Sequence, residues 1–593
     1  MRITILLTAI LILILPSCQK PSLEPEALEM SVRNFGLYDH KDDFHRLYYY
    51  DDAEAVVLYV QGNSCPIVRK SIQTFESIRK DYEDKGVRFF MINSNLQDNR
   101  ESIAEEAEQF DIETPILVDE DQLVAGILDI DITAETFVLN PKDWSVVYRG
   151  PINDQLGYGS DKGKASENYL TDVLDAQLGG IAFANEYRKA KGCAVTRLST
   201  NESYKNLTYQ DIAPILKDNC YQCHQDGGIA PWPMNGYPMV AGWSAMIREV
   251  INTKQMPPWH ADPHFGTFSN DMSLTQEEIR KLVAWVDNGS KKGEGEDILA
   301  ALTPNAGQWT LGEPDYLIIL SQEDIPADGI IDYRYQVKKI TITEDKYVSG
   351  IEVRPGNPNV LHHVLASIEY PEGYDAPVDR SVSRWIDGLL VGWAPGGEAE
   401  VFPKGTGRLL PKGSEVYFQL HYTTSGKAES DQTDIGLYFH DEDPGKEYVI
   451  VGPVNFEFRI PPKESNYPVV AEYPINRPTY MHAVLPHMHY RGKSMNYEIE
   501  YPNGEREMIF SAADYNFNWQ RFYYLDEPKL LPEGSTLFVN AVFDNSKQNA
   551  FNPNPEETIY FGEQTFDEMM IGYMSVTFAD EEGQNDITAS GDD

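Results

Sequence analysis

The chain is poor in cysteine, histidine and positive charge. Its 593 residues include 5 cysteines and 12 histidines. No cysteine follows Cys223, so the second half is predicted to fold without disulfides, leaving cysteine to serve particular sites. Lys and Arg total 49 against 93 Asp and Glu, a formal net charge of −44, which argues against nucleic acid as a partner. A mean hydropathy of −0.43 argues against a multi-span membrane protein.

The N-terminus contains the one long apolar run, residues 3–15, directly after Arg2. It is too short to span a bilayer but suits the core of a signal peptide. It ends in Leu15-Pro16-Ser17-Cys18, which resembles a bacterial lipobox. We therefore expect residues 1–17 to be a lipoprotein signal peptide and Cys18 to be lipidated. The protein would be exported and lipid-anchored to a bacterial membrane, in the periplasm or at the cell surface, with the outer membrane favoured.

The length predicts several domains. Residues 30–180 alternate apolar strands with helical patterns at 65–84 and 99–109, which predicts an α/β domain. Residues 200–292 are predicted to be helical, and their last helix has a capping box of Thr275 with Glu278 and a stop at Gly289.

From about residue 312 the pattern changes to short alternating segments between Pro, Gly, Asn and Asp clusters. This pattern predicts all-β structure. Its length favours two domains, 312–452 and 453–580, with a break near Gly452-Pro453.

The helical region contains Cys220-Tyr221-Gln222-Cys223-His224. C-x-x-C-H is the attachment pattern of covalent c-type haem, with the histidine as an iron ligand. In an exported chain this predicts a cytochrome c-like domain over 200–292. A structural zinc is the alternative, and His260 and His264 would have to supply its further ligands.

The sixth haem ligand should follow the motif and precede the last helix. Met256, in "KQMPPWHAD", is the first candidate, and its MPPW segment resembles one found in cytochrome c domains. Met234 and His260 are the competitors. Met/His ligation raises the haem potential and is typical of electron transfer.

Five histidines and a methionine in the β-rich half are candidate metal ligands. They are His362, His363, His421, His487, His489 and Met569. On a strand, His487 and His489 would face the same side. Imidazole accepts several metals, but a thioether selects soft Cu(I) over zinc. Arg491 and Lys493, just beyond, are interpreted as a solvated strand edge.

The order His-His, His-Tyr, His-x-His and Asp-Glu-Met resembles the copper type II, ascorbate-dependent monooxygenases, which include the peptidylglycine and dopamine enzymes. The resemblance covers about residues 312–580 and implies two jelly-roll domains. It implies an electron-storing copper on His362, His363 and His421. A second copper, which binds and activates dioxygen, would sit on His487, His489 and Met569, with Tyr573 also matching the family.

Two positions depart from the peptide-processing members of that family. Leu485 stands where they have an arginine that anchors the substrate carboxylate, and Ile571 stands where they have an asparagine. A peptidylglycine substrate is therefore not implied.

Cys65, in "LYVQGNSCPIVRK", stands where a strand ends and a helix begins, a place that stabilises a thiolate. The segment resembles the thioredoxin-like peroxiredoxin and redoxin group. Gly62 replaces the first cysteine of a C-x-x-C, and Ala134 replaces the expected cis-proline, so a local dithiol is excluded. Cys193 could act as a resolving thiol or form a structural disulfide with Cys65. The sequence leaves two alternatives for this domain: a redox-active Cys65, or a thioredoxin-like fold that has lost its redox activity.

Together these patterns predict a multidomain chain: α/β thioredoxin-like, then α-helical cytochrome c, then two all-β jelly rolls. The favoured function is a copper-dependent monooxygenase with two copper ions and one covalent haem c. It would hydroxylate a C–H bond of a small-molecule substrate with O2, taking electrons from an unidentified donor. The alternatives are a non-catalytic copper-binding or electron-transfer lipoprotein, and a thiol-redox protein led by Cys65.

Overall fold

A computed structural model describes residues 30–181, 186–198, 202–374 and 388–579. The predicted signal peptide and Cys18 lie outside these residues. Within them, no helix has both the length and the apolar character needed to cross a bilayer.

The N-terminal part is an α/β layer built on a mostly parallel sheet. Its strands are β1 Gly36–Tyr38, β2 Phe44–Arg46, β3 Ala55–Val60, β4 Val87–Asn93, β5 Ile116–Val118, β6 Thr136–Asn140, β7 Ser145–Gly150, β8 Leu156–Gly157, β9 Ser160–Asp161 and β10 Glu186–Tyr187. Its helices are α1 Pro66–Tyr82, α2 Arg100–Gln109, α3 Leu123–Leu128 and α4 Tyr169–Leu178.

Strand β3 lies in the middle of a six-stranded sheet of order β10-β7-β6-β3-β4-β5. It is parallel to β4 and antiparallel to β6. All its residues are buried, as expected for a strand covered by helices on both faces. The predicted α/β domain and both predicted helices are confirmed to within a few residues. The unit runs beyond residue 180, since β10 pairs with β7 and Ala194 bridges to Ile132.

The second part is helical, as predicted. It contains α5 Tyr209–Asn219, α6 Tyr237–Gly242, α7 Ser244–Asn252 and α8 Gln276–Asp287. Helices α5 and α8 share a core that includes Leu216, Leu282 and Trp285. The capping box of Thr275 with Glu278 is present, and Gly289 follows the helix with a φ of 85°.

The remainder is β-rich. Its strands are β11 Tyr316–Ile319, β12 Glu323–Ile325, β13 Arg334–Lys339, β14 Lys346–Arg354, β15 Leu361–Glu369, β16 Leu389–Trp393, β17 Glu400–Val401, β18 Thr406–Leu410, β19 Glu415–Tyr422, β20 Glu429–Asp431, β21 Asp434–Phe439, β22 Lys446–Glu447, β23 Val449–Val451, β24 Arg459–Ile460, β25 Tyr467–Pro474, β26 Thr479–His487, β27 Gly492–Glu500, β28 Arg506–Ala512, β29 Tyr523–Leu531, β30 Thr536–Phe543, β31 Ile559–Tyr560 and β32 Ile571–Phe578.

These strands form two successive β units. The first is built on the sheets β11-β21-β14-β18-β22 and β13-β19-β15-β16, and the second on β23-β32-β26-β29 and β25-β30-β27-β28. The chain changes unit between β22, which pairs with β18, and β23, which pairs with β32. The predicted break near residue 452 is therefore late, because residues 449–451 already belong to the second unit.

The helical part is joined firmly to the second β unit. Trp259, the last residue of the MPPW segment, and Phe268, which follows it, are members of that unit's apolar core. The Ser269 N–H donates to the Tyr524 carbonyl at 2.9 Å, and the Asp526 N–H donates to the Thr267 carbonyl at 3.1 Å. Packing and backbone pairing together fix the two parts relative to each other.

Candidate metal centres

The first group of histidines stands on two paired strands of the first β unit. His362 and His363 lie on β15 and His421 on β19, with His363 directly opposite His421. The register shifts between Leu361 and His363. Adjacent strand residues normally point to opposite faces, and this irregularity explains why both His362 and His363 can face His421.

The three imidazoles are close and buried. Among the residues that the structure describes, they form the group of three His, Cys, Asp or Glu side chains whose ligand atoms all lie within 4.8 Å of one another. Each is at most 5% exposed. Burial lowers the pKa of all three, that of His362 to about 4. They are therefore neutral at pH 7, the form that binds metals.

Hydrogen bonds indicate which nitrogens are free. His362 Nε2 donates to Asn518 Oδ1 and His363 Nε2 donates to Gln419 Oε1, each at 3.4 Å. The Nδ1 atoms of His362 and His421 are buried and, among the residues that the structure describes, have no hydrogen-bond partner. An unpartnered buried nitrogen is costly unless something binds it, so the Nδ1 atoms are the candidate ligand atoms.

The second group lies in the second β unit. His487 is the last residue of β26, and the ring of His489 lies 5.3 Å from its ring, centroid to centroid. The prediction that both stand on one strand is wrong for His489, which lies in the turn after the strand. Burial lowers the pKa of both, that of His487 to about 4.

A buried carboxylate and a phenol hold this turn. Glu568 accepts the N–H of His489 at 2.8 Å and that of Arg491 at 2.6 Å. Tyr515 Oη donates to the Met488 carbonyl at 2.6 Å and accepts the Met488 N–H at 2.9 Å. Burial raises the pKa of Glu568 to about 8. The backbone around His489 is thus fixed from both sides.

The orientation of these rings again leaves one nitrogen free. His489 Nδ1 lies 3.4 Å from the Asp567 carbonyl, while its Nε2 is buried and unpartnered. His487 Nδ1 bonds to Gln520 Oε1. The Nε2 atoms are therefore the candidate ligand atoms here, in contrast with the first group.

Met569 directly follows Glu568, the residue whose carboxyl group binds this turn. It is partly buried in an apolar cluster with Leu485, Ile571 and Tyr573. The Tyr573 ring lies 6.1 Å from that of His487. Leu485 is 5% exposed and packs in this cluster, which has no place for a charged substrate anchor.

The interpretation of Arg491 as part of a solvated edge is wrong. The residue is 1% exposed, and its guanidinium donates to Asn545 Oδ1 at 3.0 Å and to the Phe566 carbonyl at 2.9 Å. It braces the chain just before Glu568. Lys493 is half-buried and bonds to Asn466 Oδ1 at 2.6 Å.

The two groups face each other across one ring. Phe517, from the second unit, stacks on His362 with centroids 4.6 Å apart, and His489 meets the same ring edge-on at 6.0 Å. Tyr333 lies against His363 and His421, at 5.3 and 4.9 Å. Chemically, the arrangement offers two neighbouring groups of neutral nitrogen ligands.

The C-x-x-C-H motif follows helix α5. Cys220 and Cys223 are free thiols, and burial raises the pKa of both, that of Cys220 to about 12. His224 Nδ1 donates to the Trp232 carbonyl at 2.9 Å, which leaves its Nε2 as the ligand atom. Burial lowers the pKa of His224, so its ring is neutral. These features fit a haem-binding histidine.

The candidate sixth ligands differ in their surroundings. Met256 and His260 line a cavity of about 400 Å³, and Leu274 and Ile279, which pack against the same helical core as Cys220, line it too. Met234 instead lies in the helical core, with its N–H bonded to the His224 carbonyl at 2.7 Å. For the zinc alternative, His264 is engaged by Asp262 at 3.0 Å. Within the described ranges, no group of metal-ligand atoms joins these histidines to the cysteines.

Cys65 is the residue that caps helix α1, as predicted, and is 3% exposed. Burial alone would raise its pKa, but hydrogen bonds from Cys193, from Thr133 and from helix N–H groups lower it overall. Burial and Cys65 together raise the pKa of Cys193 to about 11. The pair is therefore polarised, with Cys65 as the more acidic thiol.

The departures around Cys65 have steric reasons. A Cβ at Gly62 would lie 2.7 Å from Asn95 Nδ2 and 2.8 Å from Thr133 Cγ2, so a cysteine does not fit there. Ala134 has a φ of 58°, and proline cannot occupy this position because its ring fixes φ near −65°. Thr133 binds Cys193 through both its N–H and its hydroxyl, which brings the second thiol in from a distant loop.

Several site residues have no sequence signal. Asn518, Gln520 and Phe517 lie in a segment without a motif, and Gln419 is one polar residue on an alternating strand. Glu568 could have been noticed in Asp-Glu-Met, but its role as an acceptor of two backbone N–H groups depends on folding.

Comparison with known proteins agrees with two parts of this description. Residues 29–148 match the AhpC/TSA family. The chain is 22% identical over 359 residues to DBH-like monooxygenase protein 1 of Gallus gallus and 23% identical over 347 residues to that of Mus musculus. Each match covers 51% of this chain, and the chain spans only 55% of each relative's length.

Solved structures with local likeness include an uncharacterized conserved protein from Geobacillus kaustophilus, 27% identical with a TM-score of 0.26, covering 29% of this chain and 93% of that one. Peroxidoxin BcpB from Mycobacterium tuberculosis is 18% identical with a TM-score of 0.21, covering 26% and 98%. By its family match and sheet topology, the N-terminal part is a thioredoxin-like α/β domain of the redoxin kind, in a chain distantly similar to a DBH-like monooxygenase.

Proposed function

We propose that the protein is a copper-dependent monooxygenase that hydroxylates a C–H bond of a small molecule with O2. The proposal rests mainly on His362, His363 and His421, three buried neutral imidazoles whose ligand atoms lie within 4.8 Å of one another. Buried imidazoles stay unprotonated, and the unprotonated ring is the form that coordinates a metal ion. Because a second histidine pair lies beside this group, we favour a redox site with two metal ions. The distant similarity to DBH-like monooxygenase protein 1 supports the reaction class.

His362, His363 and His421 would hold the first copper. Gln419 and Asn518 fix the orientation of His363 and His362 through their Nε2 atoms. A ring held on one nitrogen presents the other in a constant direction, which suits a copper that changes only its oxidation state.

His487, His489 and Met569 would hold the second copper. Gln520 orients the His487 ring and Glu568 holds the backbone of His489, while the thioether favours Cu(I). When bound, the two copper ions supply one-electron redox chemistry and a place for O2 to react. The protein's own part is to exclude water with Leu485, Phe517 and Tyr573 and to keep the imidazoles neutral.

Cys220, Cys223 and His224 would bind one covalent haem c, with Met256 as the sixth ligand, so that residues 200–292 act as a cytochrome c-like relay from an external donor. The half-buried thiols, the His224–Trp232 bond and the cavity beside Met256 support this assignment. In this proposal the β units are jelly rolls, and the chain is an exported, lipid-anchored protein modified at Cys18.

The test is copper and haem content of the purified exported protein, followed by O2 uptake after reduction. We expect two coppers and one covalent haem per chain, with uptake that depends on substrate. Met569→Leu should retain copper at the first site and lose turnover. Haem without stoichiometric copper would overturn the monooxygenase proposal, and two coppers without any uptake would favour an electron-transfer or copper-binding role.

A second candidate function is favoured by the polarised Cys65–Cys193 pair. In this reaction a hydroperoxide oxidises the Cys65 thiolate to a sulfenic acid and leaves as an alcohol or water. The Cys193 thiol then forms the disulfide and releases water. Exposure of the reduced protein to hydrogen peroxide should produce a Cys65–Cys193 disulfide by peptide mass mapping. Cys193→Ser should instead accumulate the sulfenic acid, whereas unreacted thiols in both proteins would mark a retired scaffold.

A further inference from the structure

One segment of the second β unit contacts three candidate redox sites. Residues 515–521, here called the bridge segment, connect β28 to β29 and include a short 3-10 turn at Phe517–Trp519. Asn516 accepts the Asn518 N–H at 3.0 Å and so stabilises this turn. The segment is thus a defined structure between the sheets.

On one side the bridge segment touches both histidine groups. Phe517 stacks on His362 with an interplanar angle of 15° and meets His489 at 89°. Asn518 accepts from His362 Nε2, and Gln520 accepts from His487 Nδ1. Three residues of the segment therefore contact candidate copper ligands directly.

On the other side it reaches the C-x-x-C-H motif. A Cβ built at Gly396 would lie 3.9 Å from Cys223 Sγ and 4.0 Å from Trp519 Cζ3, so the sulfur and the indole flank the same small gap. Arg521 lies near enough to Cys223 to lower the pKa of its thiol, against the larger effect of burial. Neighbouring Gln222 donates to Glu398 Oε1 at 3.1 Å.

Arg521 also ties the segment to the far side of the helical part. Its guanidinium donates to the Pro258 carbonyl at 3.5 Å and lies 5.5 Å above the Trp259 ring. Both residues belong to the segment that carries Met256. The bridge segment is thus anchored on both chain segments that would ligate a haem.

We infer that Trp519 and Phe517 carry single electrons from a haem bound at Cys223 to a copper bound at His362. Within one short segment, Phe517, Asn518 and Gln520 contact the imidazoles, whereas Trp519 lies beside the Cys223 sulfur. In each step a ferrous haem loses one electron and becomes ferric, a cupric ion gains it and becomes cuprous, and no bond is made or broken. The inference rests on the proposed function.

The test uses the whole protein, matured with haem and loaded with Cu(II), under anaerobic conditions. Dithionite is mixed in below one equivalent, and the loss of the ferrous haem band and of the Cu(II) EPR signal are followed together. In the native protein both should decay at one rate. We expect Trp519→Leu to slow this decay by at least an order of magnitude, and Trp519→Phe to stay close to the native rate, because an aromatic ring is retained.

Trp309→Leu is the matched control, since Trp309 lies under Arg354 in the first β unit, away from the segment. It should transfer at the native rate. Phe517→Leu should also slow transfer, which provides a second variant if Trp519→Leu loses haem or copper. Native-rate transfer in both leucine variants with full haem and copper would overturn the inference. Absence of transfer in the native protein would instead overturn the haem relay of the proposed function.

Discussion

His362, His363 and His421 stand on two paired strands, whereas His487 and His489 lie at the end of one strand and in the turn that follows it. Both groups are buried and both are neutral. In the first, the β ladder itself sets the spacing between rings, and side-chain hydrogen bonds only fix their rotation. In the second, the backbone has to be held by Glu568, Tyr515 and Arg491 before the rings can meet.

This difference predicts how sensitive each histidine group is to the loss of a neighbouring residue. A ladder distributes its stability over many hydrogen bonds, so losing one neighbour should change the first group little. A turn that depends on one buried carboxyl group, that of Glu568, should lose its geometry when that group is removed.

The largest expected effect comes from removing a ligand. His363→Ala should lower the copper content by one ion per chain. Loss of a residue that only hydrogen-bonds to a metal ligand can reduce activity by roughly 100-fold, and loss of the ligand itself should reduce turnover by more. The second site should keep its copper. Metal analysis with O2 uptake measures both. His482→Gln is the control, since His482 is buried and bonds to Thr577 at 2.9 Å without belonging to either group. Loss of both coppers in His363→Ala would contradict separate sites.

Glu568→Gln should affect the second site next most strongly. The oxygen of the glutamine amide can accept one of the two backbone N–H groups, but its NH2 group faces the other. That N–H then lacks an acceptor, which costs about 1–3 kcal/mol of stability. Copper affinity at the second site should fall about 10- to 100-fold. The partner variant Gln419→Met removes the acceptor for His363 on the ladder. Titration with Cu(I) should find a smaller loss for it, and equal losses would refute the contrast between ladder and turn.

Local sequence patterns predict local structure well in this chain. The cap at Cys65, the capping box of Thr275 and the change to β structure follow from residues near one another. The histidines on β15 and β19 are also predicted from the sequence, because the chain has few histidines and the order of these resembles the copper monooxygenases. The alternation rule failed at His489, where hydrogen bonds from the distant Glu568 impose a turn.

The bridge segment could not be predicted at all. Asn518 and His362 are 156 positions apart, and Gln520 and His487 are 33 apart. Such contacts depend on how two sheets pack and leave no periodic signal in either segment. The same holds for Arg491, whose spacing is typical of a solvated edge but whose side chain is enclosed by loops from residues 545 and 566.

Glu400 lets water entry between the two β units be tested through the pH dependence of stability. It is 3% exposed, both its oxygens lack a hydrogen-bond partner among the residues that the structure describes, and it lines a small cavity with Gln520 and Arg521. Burial raises its pKa from 4.5 to about 8. Between these values the folded chain keeps a proton that the unfolded chain has released, so the free energy of unfolding from Glu400 falls as pH rises.

Glu400→Gln removes that titration. Since each pKa unit is worth about 1.4 kcal/mol, the variant should gain on the order of a few kcal/mol over the native protein between pH 5 and pH 9. Urea unfolding at a series of pH values measures the difference. A constant difference across the range would mean that Glu400 titrates normally, and hence that water enters this cavity between the two β units.

The smallest expected effect extends the comparison to the thioredoxin-like domain, where Cys65 is fixed by a helix and Cys193 arrives on a loop. Cys193→Ala removes the strongest hydrogen bond to the Cys65 thiolate and should raise the pKa of Cys65 toward its ordinary value of 9.0. Thiolate is the reactive form, so iodoacetamide should modify Cys65 several-fold more slowly at pH 7. Thr133→Val, which removes the weaker bond, should slow it less. A faster reaction in Cys193→Ala would mean that Cys193 chiefly shields Cys65, and that the loop, like the turn around His489, controls access rather than charge.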